Sequence, residues 1–410
     1  MKEEKIKSLF DGVSYIRTGG SPEELRAAEH LLSECRELGI KAWLEDFPVQ
    51  MATIQEATLL ADGREIPCKG YRNAGSAELE APLYYLRSIS DPALLENCRG
   101  KIVLVDGGMS YWVFHDLVDH GALGFITYDG DVNYADDDID QKELRAFVSE
   151  GVKLPGVNIN AKQAVALVRD GVQTVKLSLK QEEWEGNSRN VIAELPGETD
   201  EWIVLSAHYD STSLSQGSYD NWSGSAGLLG IAEHFAGAKL RRGLRFVWCG
   251  SEERGLLGSK AYVAAHEDEL KKIALNINLD MIGCIMGSFI ACCSTEEKLV
   301  SYLEYFGRET DFSIRAYQDV YSSDSTPFAD KGVPALSFAR TSPRGTGTIH
   351  NRYDTIALMS MPQMAEDIDF LCAFTERMAN AARCPVAREI PESVKEKLDY
   401  YLNRKRRPQK

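Results

Sequence analysis

Four apolar runs in the second half of the chain, residues 202–207, 244–249, 274–279 and 334–338, each stop at or just ahead of residues that can do chemistry. The first is continuous and has the length expected of a strand buried on both faces, as in a parallel sheet. The runs alternate with helix-like stretches from about residue 190 to about residue 380. This pattern predicts an α/β fold with a mixed, mostly parallel central sheet flanked by helices. Such sheets bind ligands outside the carboxyl ends of their strands, so the residues that follow each run are the ones to read.

After the first run come His208-Tyr209-Asp210, then Asp220-Asn221-Trp222-Ser223-Gly224 at a helix entry. If the chain stays extended, residues two apart share a side. His208 can then bind a metal while Asp210 fixes its ring or its neighbourhood. A carboxylate such as Asp220 can give one oxygen to each of two cations. The second run ends in Glu252-Glu253, whose adjacent side chains point apart, which suits one ligand and one general base. Asp280 follows the third run and precedes Met281-Ile282-Gly283. An acid in such apolar company needs a partner, and a cation supplies one. His350 follows the fourth run after a loop. Two imidazoles and three carboxylates can hold two divalent metals, and Glu252 is left to move a proton. A two-metal hydrolase is expected.

The chain has 410 residues, 44% apolar and 26% charged, enough for two or three domains. Its net charge of −16 argues against nucleic acid and anionic membranes as partners. Lysines and glutamates at residues 2–5 precede no apolar h-region, and no run is long enough to span a bilayer. With nine cysteines and no CxxC pair, free buried thiols and a cytoplasmic location are expected. Ser21-Pro22-Glu23-Glu24 predicts a helix start in which Ser21 caps and Glu24 closes a capping box. Gly39 should end that helix.

Between about residues 51 and 179 short strands (82–86, 101–105, 122–128) and an acidic loop at 129–140 replace this texture. The loop lacks the ligand spacing of a calcium site and reads as solvated. Residues 184–188 read as a return linker. The expected organisation is a split catalytic domain (1–48 and 185–395), an inserted domain (49–184) and a basic C-terminal tail (396–410).

The five chemical segments resemble the co-catalytic zinc aminopeptidase family, which also contains glutamate carboxypeptidase II and the glutaminyl cyclases. The resemblance covers about residues 1–48 and 185–380. It implies that His208, Asp220 and Asp280 hold one metal, that Asp220, Glu253 and His350 hold the other, and that Glu252 is the general base. Ser323-Asp324-Ser325-Thr326-Pro327-Phe328 is similar to the family's substrate-side segment, with Ser325 where His is frequent. The insert resembles a β-rich protease-associated domain through residues 100–106, 121–126 and 154–157.

The expected activity is removal of N-terminal residues from peptides, with Glu252 and Asp210 as the catalytic pair and two divalent ions, zinc favoured over manganese or cobalt, as cofactors. A carboxypeptidase is the chief rival; Arg340 and Arg344, ahead of His350, are its candidate carboxylate anchors. Together with Asp324 they make up the expected substrate-binding residues. A single-zinc cyclase is third, and Ile349 argues against it because cyclases place a tryptophan there. A non-catalytic binding homologue would have lost ligands that are all present here. Peptides are the expected partners, and a homo-oligomer is compatible with the sequence.

Overall fold

The computed structural model describes residues 1–407; the last part of the expected basic tail, residues 408–410, lies outside them. The chain divides into two units: Met1–Pro48 with Asn187–Lys405, and Val49–Gly186 with Arg406 and Arg407.

The apolar runs of the first unit become the strands Trp202–His208, Gly243–Cys249, Ile273–Leu279 and Ala335–Thr341. The sheet order is Ile314–Gln318, Ser288–Ser294, Ala335–Thr341, Ile273–Leu279, Trp202–His208, Gly243–Cys249 and then the end of Thr174–Leu195. Ile273–Leu279, Trp202–His208 and Gly243–Cys249 run parallel, as does Ala335–Thr341 beside Ile273–Leu279. Ser288–Ser294 pairs antiparallel with Ala335–Thr341 but parallel with Ile314–Gln318, and the Val191–Leu195 segment pairs antiparallel with Gly243–Cys249. The sheet is therefore mixed and mostly parallel, as the apolar runs predict.

Alternation along each strand decides which layer a side chain enters. Ile203, Leu205, Ala207, Leu244, Phe246 and Trp248 join the core beneath the helices Glu3–Gly12, Pro22–Glu37, Ser223–Phe235 and Met361–Asn380. Val204, Val247, Cys249 and Ile192 face the other way, against Tyr262, Val263, Phe328, Val394 and Leu398. Full burial of each such side chain contributes about 1.5–3 kcal/mol, so both faces hold the sheet. Register pairs His208 with Cys249, and the carboxyl ends of the central strands come level.

Helix Pro22–Glu37 starts as its sequence predicts. Ser21 Oγ accepts the Glu24 N–H at 3.1 Å and Pro22 takes the first turn. The capping box does not close, because the Glu24 carboxylate bonds Gly20 N–H rather than Ser21 N–H. Leu38 caps the end and Gly39 follows at φ +73. Residues 184–188, expected as a linker, lie inside the strand Thr174–Leu195. Helix Glu392–Tyr401 takes in the first part of the expected basic tail, and Lys405 and Arg404 pair back to its Asp399 at 2.9 and 3.3 Å.

In the second unit Ala77–Leu86, Ile102–Val105, Gly124–Asp129 and Gly156–Asn160 form a parallel run, and Cys68–Gly70 adds antiparallel to its edge. Helices Tyr111–Asp119 and Ala161–Arg169 accompany these strands, which share a separate core. The acidic loop is drawn in by Lys142, 3.1 Å from Asp129 and 2.8 Å from the buried Asp140. No helix among the described residues is long and apolar enough to cross a membrane.

Candidate metal centre

The level carboxyl ends bring His208, Asp220 and Asp280 together, and likewise Asp220, Glu253 and His350. Within each group one ligand-type atom per residue lies within 4.8 Å of the others. Asp220 is common to both. Its Oδ1 is 3.2 Å from His208 Nε2 and its Oδ2 is 3.1 Å from His350 Nε2. His350 Nε2 also lies 3.2 Å from Glu253, and His208 Nε2 lies 3.8 Å from Asp280 Oδ1.

Each side chain is aimed by named bonds. Asp220 leads into helix Ser223–Phe235. Its own N–H and that of Tyr219 donate to Asp354, at 3.1 and 2.7 Å. Asn221 joins two ligand turns: its Oδ1 accepts Met281 N–H, next to Asp280, at 2.9 Å, and its Nδ2 donates to Leu279 O. Gly224 permits this approach, since a Cβ there would sit 2.4 Å from Leu279 O. Asp210 accepts the N–H groups of both Glu252 and Glu253, at 2.9 and 3.2 Å, and its Oδ1 lies 3.4 Å from His208 Nδ1. Buried Arg17 gathers the carbonyls of Tyr209, Gln216 and Gly217 ahead of Asp220.

The electrostatics are those of crowded charge. Burial raises the Asp220 carboxyl, but the two imidazoles overcome this and hold it far below the usual range. Burial lowers both imidazoles, but the facing carboxylates reverse this, Glu252 foremost at His208 and Glu253 at His350, so both rise. Glu252 is pushed well up by burial, and by Glu253, Asp324 and Asp280 against His208.

A divalent cation relieves this crowding. The buried Asp280 Oδ1 has no hydrogen-bond partner, although it faces His208. A buried acceptor left without a donor is costly, and a cation satisfies it. The donor set, imidazole nitrogens with carboxylate oxygens, suits zinc. The residues present therefore fit the metal. Cations must displace protons from the two raised imidazoles, so metal uptake should release protons and apparent zinc affinity should rise with pH, up toward the value of about 11 to which His350 is pushed. Calorimetry in buffers of different ionisation enthalpy checks this; uptake without proton release would contradict the raised imidazoles.

The three expected substrate-binding residues, Arg340, Asp324 and Arg344, differ in their surroundings. Arg340 is 8% exposed and its guanidinium is committed to Asp367 and Gly287 O, both at 3.0 Å. A fork already filled by a buried carboxylate does not anchor a second one. Asp324 is fully buried, and burial, aided by Asp280 and Asp210 against His208, pushes it up to about 6. It stands where solvent does not reach. Arg344 is exposed in the loop ahead of His350.

Sequence reasoning missed Arg17, Asp354 and Tyr321. Asp354 carried one signal, an acid four residues past His350. Burial drives the Tyr321 phenol far up, and Asp280 and Asp220 add to this.

The fold and the two ligand groups resemble those of the co-catalytic zinc peptidases. The chain matches Peptidase family M28 over residues 190–375, a little under half of its length. It is 25% identical over 389 residues to Aminopeptidase YwaD of Bacillus subtilis (strain 168), covering 90% of this chain and 84% of that one. It is 28% identical over 297 residues to a probable leucine aminopeptidase 2 of Trichophyton verrucosum. That match covers 68% of this chain but only 59% of its relative. Two solved structures share the fold. BSAP, a zinc aminopeptidase from Bacillus subtilis, has a TM-score of 0.78 at 23% identity, covering 95% of this chain and 97% of BSAP. The aminopeptidase from Aneurinibacillus sp. strain AM-1 has a TM-score of 0.76 at 23% identity, covering 94% and 96%.

Proposed function

We propose that this chain is a two-zinc aminopeptidase in which Glu252 is the general base. The observation that carries the reading is Asp220, whose two oxygens face two different histidines, 3.2 and 3.1 Å away. The names of the M28 relatives support the reaction class. Two zinc ions would supply Lewis acidity to the scissile carbonyl and to the attacking water, and they would lower the Glu252 carboxyl toward its ionised form. Glu252 Oε2, 3.9 Å from His208 Nε2, borders the ligand set without belonging to either group. It takes the proton of the attacking water and delivers it to the leaving amine. Asp210 holds the backbone of Glu252 and Glu253 and steadies the His208 ring.

The density of carboxylates favours a substrate ammonium over a substrate carboxylate. The commitment of Arg340 to Asp367 removes one of the two cations the carboxypeptidase reading relies on. N-acetylation of a dipeptide should therefore abolish cleavage, while C-terminal amidation should be tolerated. Efficient hydrolysis of an N-acetylated dipeptide with a free carboxylate would overturn this choice.

The second unit is read as a protease-associated domain, on the strands Ile102–Val105, Gly124–Asp129 and Gly156–Asn160 that carry the similar segments. A cytoplasmic location is read from the free thiols of Cys35, Cys98, Cys249 and Cys293, all buried; cell fractionation tests it.

A further inference from the structure

Helix Pro22–Glu37 carries a fully buried carboxylate, Glu24, that the reaction above leaves unused. Glu24 stands three residues after its cap, where a capping box would return its side chain to Ser21 N–H. Ser21 N–H instead donates to Thr18 O. Glu24 reaches across the fold: its Oε1 accepts Ser251 N–H at 2.9 Å and Ser251 Oγ–H at 3.2 Å. Ser188 Oγ, 2.8 and 2.9 Å from its two oxygens, and Gly20 N–H at 2.7 Å hold the carboxylate itself.

Ser251 is the residue before Glu252, and its φ of +53 lies in the left-handed region that non-glycine residues avoid. A turn of this kind persists only when its surroundings impose it. Here two carboxylates do so: Glu24 takes the first of three successive N–H groups and Asp210 takes the next two. Contact with the segment ahead of the helix is close. A Cβ on Gly19 would lie 2.3 Å from Ser251 Oγ.

We propose that Glu24 is a positioning residue for Glu252: by anchoring the Ser251 turn from helix Pro22–Glu37, it sets the direction in which the base points. The proposal rests on Glu252 being the base. The Glu24 bonds hold the backbone of the turn and touch none of the candidate ligands, so the effect should fall on the chemical step rather than on zinc or substrate binding.

The test uses the full, zinc-loaded chain with Glu24→Ala, Glu24→Gln and Gly19→Ala. Glu24→Ala should lower kcat by ~10-fold or more, given that ångström-scale misplacement costs up to ~10²-fold. KM and zinc content should stay near wild type, and amide hydrogen exchange at residues 251–253 should speed up. Glu24→Gln keeps a carbonyl oxygen for Ser251 N–H and should restore most of kcat. Gly19→Ala leaves Glu24 intact but pushes a methyl into Ser251, and it should repeat the kcat loss even if Glu24→Ala does not fold. Wild-type kcat with unchanged exchange in Glu24→Ala, or wild-type kcat in Gly19→Ala, overturns the proposal. So does equal damage in Glu24→Ala and Glu24→Gln with zinc lost. If the wild-type chain cleaves no peptide, the aminopeptidase reading fails, while exchange at residues 251–253 still decides whether Glu24 holds the turn.

Discussion

Replacing Glu252 with Gln should lower turnover by at least ~10²-fold, the usual scale of a positioned general base, with zinc content unchanged. The amide has the shape of the carboxylate and keeps the backbone bond from Glu252 N–H to Asp210. Glu252 belongs to neither of the two ligand groups, so the metals have no reason to leave. What disappears is a carboxylate that borders the His208 imidazole and Glu253 without belonging to either ligand group. Steady-state kinetics with metal analysis on the same sample decides the matter. A wild-type kcat in the mutant would remove Glu252 from the reaction.

Asp220→Asn should empty both metal positions together and abolish activity. Asp220 is the residue common to the two groups, one oxygen to each. An amide offers one oxygen and one NH2, and the NH2 cannot bind a cation. His350→Ala should mainly deplete the position it shares with Glu253, since its Nε2 is 3.2 Å from that carboxylate. Metal content after dialysis separates the two outcomes. Two zinc ions retained by Asp220→Asn would refute a bridging role.

Much of this arrangement was legible because it is local. An apolar run that ends on an acid or a histidine announces a strand and names the residue at its mouth. His208, Glu252, Glu253 and Asp280 were read in that way, and the sheet delivers them to one edge. The start of helix Pro22–Glu37 was legible for the same reason: Ser21 and Pro22 act within a single turn. The carboxylate of Glu24 was misread because a local partner, Ser21 N–H, was available in the sequence while the real one lies 227 residues away. Arg340 was misread on proximity to His350. The strand that carries it turns its guanidinium to Asp367, a residue of helix Met361–Asn380 that only packing brings near.

The sequence by itself determined the sheet, its mostly parallel sense and the residue types at its carboxyl ends, since strand period and burial are properties of short segments. Only the tertiary structure decided which oxygen of Asp220 meets which histidine, that Asp354 holds the Asp220 turn from 134 residues away, and that Glu24 and Asp210 divide the N–H groups of residues 251–253 between them. Those contacts are hydrogen bonds between segments far apart in the chain. Their partners are selected by which buried donors remain unsatisfied once the layers have packed, and no local pattern carries that information.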